Sequence, residues 1–241
     1  MRLLFWRRSA RVYRPENELD AVFLQRVAPD LTPPYVEWVA RWTQTLGVCH
    51  FYGCEIEPLR LEFPAKERHL ARHEKKRKMQ LPDPLRSFFL NVGKGVHFSW
   101  RNPDWALEFS DHQRLENPGG RLHLRLKDVT PVTRLDGWDP EALGEDADEV
   151  RAFLENAIAF MAVGNGDHLV IDMRDDRVKY LSHDDPDAMG VVLGPDFDAF
   201  MDAWSRLGCV GPEIWQLRPF LGPEGLDPES VNGRTFQKWL S

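Results

Sequence analysis

The densest group of chemistry-bearing side chains in this 241-residue sequence is His183-Asp184-Asp185, with Asp187 just beyond it and Asp167 upstream. An imidazole and several carboxylates are donors for a cation, or an acid and a base for a hydrolytic step. The spacing fits no calcium loop, and Asp favours turns because its side chain bonds nearby backbone amides, so a polar turn is the preferred reading. His69 and His73 stand four apart in a helical stretch. A zinc-protease helix needs Glu directly after the first His, and Leu70 stands there. Adding Cys49, His50 and Cys54 yields no pair with structural-zinc spacing. No stoichiometric zinc or calcium, no other cofactor and no catalytic residue is therefore expected.

Two further stretches have bland readings. Gly164-Asn165-Gly166-Asp167 follows a helix-like stretch and enters a strand-like one, the reverse of a phosphate-binding loop, so it reads as a turn. Gly166 is the residue expected to need positive φ. The run Lys75-Lys76-Arg77-Lys78 lacks interleaved aromatics and reads as the solvated end of a helix, where cations suit the dipole. There is no Gly-x-Ser-x-Gly elbow and no phosphate loop.

Composition bounds the class. At 42% hydrophobic and 11% aromatic residues, the chain can bury a substantial core. Three cysteines, an odd and sparse set, argue for a reducing compartment. The four-residue apolar run Leu3 to Trp6 is too short for a signal-peptide core or a membrane span, so a cytoplasmic protein without membrane association is expected. Charge is unevenly placed. Residues 1–100 hold 17 Lys and Arg against 11 Asp and Glu, whereas residues 136–202 hold 4 against 18. Such a segment repels nucleic acid and steers a basic partner.

The elements that must position these residues are legible by period. Leu19, Val22, Phe23 and Val27 predict a helix starting at Pro15 and ending before Pro29. Tyr35, Val39, Trp42 and Leu46 predict a second, stopping at Gly47. Short strands are expected over residues 48–63, a charged helix over 65–79, and a helix carrying Leu85, Phe88 and Phe89. Leu122, Leu124 and Leu126 alternate as a strand does. Residues 150–161, with Val150, Phe153, Leu154, Ala157, Ile158 and Met161, predict one helix opened by Asp146, Asp148 and Glu149. Residues 168–173 and 177–181 predict two strands, 191–193 a third, and Phe197, Phe200, Met201, Trp204 and Leu207 a helix capped by Asp196. Leu122, Leu124, Leu169, Ile171, Val178 and Tyr180 are expected in one sheet, covered by Phe153, Leu154, Ile158, Phe200 and Trp204.

This order resembles the SUKH superfamily. Leu81-Pro82 through Leu90 matches its first helix, residues 158–172 its central helix end, Gly-Asp turn and strand, Val178 to Tyr180 its second strand, and His183-Asp184-Asp185 with Phe197 to Trp204 its closing features. Where the family has Asn-Gly-Gly, this chain has Asn91-Val92-Gly93-Lys94-Gly95. The resemblance implies an α+β fold, a mainly antiparallel sheet with helices packed on it. Residues 1–80 would then be an N-terminal helical and charged extension, 81–208 the SUKH-like domain, and 209–241 a segment folding back on it.

The superfamily includes fungal cell-wall synthesis regulators of the Smi/Knr type and bacterial immunity proteins that neutralise toxins. It implies a binding protein and not an enzyme. The expected partner is a cognate toxin, plausibly a nuclease, or another basic protein. The partner-binding residues expected are Asp167, Asp172, Asp175, Asp176, His183, Asp184, Asp185 and Asp187. A regulatory or scaffold protein is the alternative, and a hydrolase using the His-Asp cluster a third.

Overall fold

The computed structural model describes residues 10–109, 113–137 and 148–241. The first part holds β1 (Ala10–Tyr13), α1 (Asp20–Val27), α2 (Tyr35–Phe51), β2 (Glu55–Glu62), α3 (Glu67–Arg77) and α4 (Asp83–Asn91). β3 (Gly95–Arg101), the short pair β4 (Ala106–Glu108) and β5 (Arg114–Glu116), β6 (Gly119–Arg125) and β7 (Thr130–Pro131) follow. Next come α5 (Asp148–Asn156), β8 (Ala157–Ala162), β9 (His168–Asp172), β10 (Val178–Leu181), β11 (Val192–Gly194) and α6 (Phe197–Arg206). The chain closes with α7 (Ile214–Leu217), the pair β12 (Leu221–Gly222) and β13 (Gly225–Leu226), and α8 (Val231–Trp239). The fold is α+β with antiparallel sheets. Among the described residues no helix is long and apolar enough to cross a membrane.

Two principal sheets form, in the orders β1-β2-β3-β6 and β11-β10-β9-β8-β7. The six residues expected in one sheet are thus divided, Leu122 and Leu124 in the first and the other four in the second. The reason lies at the outer edge of β6. The Arg121 amide donates to the Cys209 carbonyl at 2.9 Å, and the Gly211 amide to the Gly119 carbonyl at 2.9 Å. Residues 209–211 thereby take hydrogen-bonding positions that β8 would otherwise use, and the His123 amide meets only the Met161 sulfur, at 3.4 Å.

The N-terminal segment contributes strands as well as helices. β2 lies between β1 and β3, and Pro58, which has no amide to donate, sits where the β2–β3 register shifts between Glu57 and Arg60. A bulge is where a strand tolerates proline. α1 begins at Asp20 rather than Pro15, and α2 runs through Gly47 to Phe51. Its buried Trp38, Trp42, Leu46 and Cys49 hold the final turn in place, and packing outweighs the roughly 1 kcal/mol helix penalty of one glycine.

The expected helix over 150–161 is two elements. α5 ends at Asn156, and residues from Ala157 on form β8. β8 lies between β7 and β9 and is buried on both faces. Ile158 and Phe160 join the main core, while Ala157 and Ala159 join a second cluster with Phe153, Leu154, Val170 and Leu181. Ile158 therefore belongs to the sheet and not to its cover. Asp146, expected to help open the helix, lies outside the described residues. Phe200 and Trp204 of α6 are fully buried over the other face.

Candidate functional site

β9 and β10 form a hairpin, with Ile171 opposite Val178 and His168 opposite Leu181. This register sends the eight expected partner-binding residues to opposite ends. Asp172, Asp175 and Asp176 lie at the tight turn, and Asp167, His183, Asp184, Asp185 and Asp187 at the open end. The β9 ladder between them rises about 3.4 Å per residue, so they make two clusters and not one.

At the open end, Gly164-Asn165-Gly166-Asp167 is the turn between β8 and β9. The Gly166 amide donates to the Val163 carbonyl at 3.2 Å, and Gly166 has φ +103°, a conformation L side chains rarely adopt. The Asp167 carboxylate is 1% exposed and accepts four hydrogen bonds. Oδ2 takes the Tyr180 hydroxyl at 2.6 Å and the Asn165 amide at 2.7 Å. Oδ1 takes the His183 backbone amide at 2.9 Å and Nδ1 at 2.7 Å. Burial pushes this carboxyl up, but those donors outweigh it and hold it below the usual range. Burial, and then Asp167, push the Tyr180 hydroxyl up. The hydrogen bond to Asp167 raises His183, partial burial opposes it, and Asp184 adds to the rise.

Donor atoms of Asp167, His183 and Asp184 converge to within 4.8 Å. Both Asp167 oxygens and His183 Nδ1 are already committed, so a cation would have to break the bonds that fix the turn. The group works as a tether that holds the residue 183–187 loop against the hairpin. From this loop Asp185 reaches Arg218 at 3.1 Å, and the Asp187 amide donates back to Asp185 at 3.0 Å.

At the tight turn, Asp172 is 0% exposed. Its carboxylate accepts from Arg174 Nε and Nη2 at 2.9 and 2.7 Å and from Lys179 Nζ at 2.7 Å. Arg174 also reaches Glu149 at 2.9 Å, and Lys179 reaches Asp175 at 2.8 Å. Burial raises the Asp172 carboxyl, and the Arg174 and Lys179 bonds more than reverse this. Asp167 and Asp172 are thus interior anchors. Both carboxylates, expected as partner-binding groups, are buried and bonded within the fold.

These two anchors predict an acid limit. A lowered folded pKa gives stability that is complete above the unfolded value of about 4 and is lost as pH falls through the lowered value. Urea unfolding at intervals from pH 7 to pH 3 should show a decline that steepens below about pH 4, added to a shallower change nearer neutrality from the histidines whose pKa also shifts on folding. Asp167→Asn should lower stability at pH 7 and flatten the steep part below about pH 4, and an unchanged slope there would refute the assignment.

What stays exposed is acidic. Asp175, Asp176, His183, Asp184 and Asp187 are exposed and Asp185 is half-buried. All four basic residues of the 136–202 segment are engaged by acids: Arg151 by Asp148, Arg174 by Asp172 and Glu149, Arg177 by Glu224, and Lys179 by Asp172 and Asp175. Asp176, Asp187 and the exposed Glu155 have no cationic partner among the described residues. Asp139, Glu141, Glu145 and Asp146 of the same segment lie outside the described residues.

The other candidate ligands have local roles. His69 Nδ1 accepts from the Lys66 amide at 3.1 Å in a capping contact, and the buried His73 Nε2 bonds the Val129 carbonyl at 2.9 Å. The neighbouring Cys54, and then burial, raise the Cys49 thiol, while Cys49 lowers the Cys54 thiol to about 7. The partners that complete the Asp167 tether, Asn165 and Tyr180, were not among the expected site residues. The signal available for Tyr180 was its polar tip at a position in phase with the apolar Val178.

The profile of the SMI1 / KNR4 family (SUKH-1) matches residues 64–203, more than half of the chain. The chain belongs to that family. The SUKH-1 match spans α3 through most of α6 and so contains the whole β7–β11 sheet, the Asp167 tether and the Asp172 cluster. No curated protein and no solved structure matched the chain.

Proposed function

We propose that this SUKH-1 protein is a cytoplasmic immunity protein, which neutralises a basic bacterial toxin, plausibly a nuclease, by covering it and not by catalysis. The observation that carries this reading is the exposed acidic surface of the hairpin ends, whose own cations are all consumed by internal ion pairs. Asp184 and Asp187 at one end, and Asp176 at the other, are available to a partner's lysines and arginines. Charge-assisted pairs formed in a closed interface are among the stronger polar contacts. The internal commitment of Asp167 and His183 Nδ1 favours a rigid docking surface over an acid–base pair.

The test is binding to the toxin domain encoded beside this gene. The association rate should fall as salt rises, because screening shortens the field's reach to about 8–10 Å at 0.1–0.15 M. Reversal of Asp176, Asp184 and Asp187 to Lys should slow association by roughly tenfold or more, the scale expected from electrostatic steering. Reversal of Lys75, Lys76 and Lys78 to Glu should not slow it. Equal rates in the acidic variant would remove the electrostatic mechanism. Failure of the adjacent toxin to bind would transfer the lead to the regulatory reading, in which the same surface holds an endogenous partner, as the Smi/Knr resemblance implies.

A further inference from the structure

The basic residues gather in a place of their own, far along the chain from the acidic segment. A cleft of about 340 Å³ opens between α3, the turn before β3 and the turn after β6. Arg72 and Lys76 line it from α3, Lys94 from the first turn, and Arg125 and Lys127 from the second, against Glu62 as the single carboxylate in the lining. Arg125 is paired with Asp128 at 2.5 Å. Arg72, Lys76, Lys94 and Lys127 have no carboxylate partner among the described residues, and Lys94 is half-buried there.

This convergence is built by the fold. The Leu126 amide donates to the Lys94 carbonyl at 2.8 Å and joins the two turns. α3 is docked on the second turn through His73 Nε2 at the Val129 carbonyl, 2.9 Å, and Arg77 at the Lys127 carbonyl, 3.0 Å. The buried Leu70 anchors the helix. Like charges are thus held together against their repulsion, and the neighbouring imidazoles register the field. Partial burial and then Lys94, Arg68 and Lys66 lower His69. Burial lowers His73, the Val129 carbonyl opposes this, and Arg77 and Lys76 lower it further.

We infer that this cleft is a binding site for a compact polyanion carrying adjacent phosphate groups. The cleft is at the small end of ligand-site volumes, which suits a chain of two or three phosphates. Arg72 presents a planar fork to one phosphate, and the lysines act as point charges around the others. Leu126 is the one apolar residue in the lining, and the rest of the carbon surface belongs to the stems of the charged side chains, so the polar tips direct recognition to the phosphates, whether free or on a nucleoside.

Calorimetry on the full chain at low ionic strength tests this with inorganic tripolyphosphate, orthophosphate and adenosine triphosphate as probes. Tripolyphosphate should bind one to one, at least about tenfold more tightly than orthophosphate, and weaken as salt rises. Adenosine triphosphate binding like tripolyphosphate identifies the phosphate chain as the recognised group; much tighter binding identifies a nucleoside source. Arg72→Glu, Lys94→Glu and Lys127→Glu should each weaken binding about tenfold or more, as should the milder Lys127→Gln on its exposed turn to a lesser degree. Lys75→Glu and Lys78→Glu, outside the cleft, should leave it within about twofold. In NMR titrations, saturation should raise the His69 pKa, because added negative charge favours the charged imidazole. Binding no tighter than orthophosphate, equal losses in the two control variants, or an unmoved His69 would overturn the assignment. None of these outcomes depends on the toxin reading, which concerns other residues.

Discussion

Replacing Trp204 by alanine is expected to lower the unfolding free energy by about 3–5 kcal/mol, the range for deleting a buried large aromatic side chain. The indole is fully buried, stacks on Phe200 with ring centroids 5.1 Å apart, and donates Nε1–H to the Val210 carbonyl at 2.7 Å. Its removal opens a cavity under α6 and strips a buried carbonyl of its donor, two costs that add. The consequence reaches beyond α6, because residues 209–211 are the segment that holds the edge of β6. Urea unfolding should show a lower midpoint at an unchanged slope. Trp204→Phe should recover most of the packing but not the hydrogen bond. Trp215→Ala is the control, since that side chain is 48% exposed and its loss should cost less than about 1 kcal/mol. A Trp204→Ala protein as stable as the parent would break the claim that α6 anchors the sheet.

α6 was legible from sequence because it has one wet face. Phe197, Phe200, Met201 and Trp204 fall on one stripe, and Asp196 caps the helix by accepting from the Ala199 amide at 2.7 Å. β9 and β10 were also placed correctly, bounded as they are by turn residues. β8 was not, for a physical reason. A strand covered on both faces has no polar alternate positions, so Ala-Ile-Ala-Phe-Met-Ala continues an amphipathic helix without a visible break. Only tertiary pairing with β9, including the bulge between Ala159 and Met161, separates the two. The divided sheet was equally hidden, since the competitor for the β6 edge lies about 90 residues later in the chain.

The candidate site was half legible. Acidity of the segment is visible in composition, but burial of its members is not. Asp172 shares the face of Val170, and Lys179 that of Leu181, while Val170 and Lys179 stand opposite each other across the hairpin. An acid and a base in phase with buried positions on facing strands were the available sign of an interior pair. Asp167 gave no such sign, because two of its donors come from His183, on the far side of β10.

Asp172→Ala should therefore act on stability and not on recognition. The substitution leaves the Lys179 ammonium, whose side chain is 11% exposed, with Asp175 alone, and releases Arg174 from its bidentate grip. Breaking one side of a buried pair costs about 3–5 kcal/mol, because the remaining charge keeps its desolvation penalty without its partner. Lys179 also lies 5.7 Å above the Phe153 ring, so the stranded charge should disturb the packing of α5 on the sheet. Asp172→Ala combined with Lys179→Met should recover a large part of the loss, since an apolar pair in a buried position is often as stable as the ion pair. A double-mutant cycle by urea unfolding measures the coupling. If Asp172→Ala alone stays within about 1 kcal/mol of the parent, or the double variant is no better than the single, the cluster is not an interior anchor. The salt dependence of partner association should be unchanged in the double variant, because it removes one buried charge of each sign and leaves the exposed carboxylates in place.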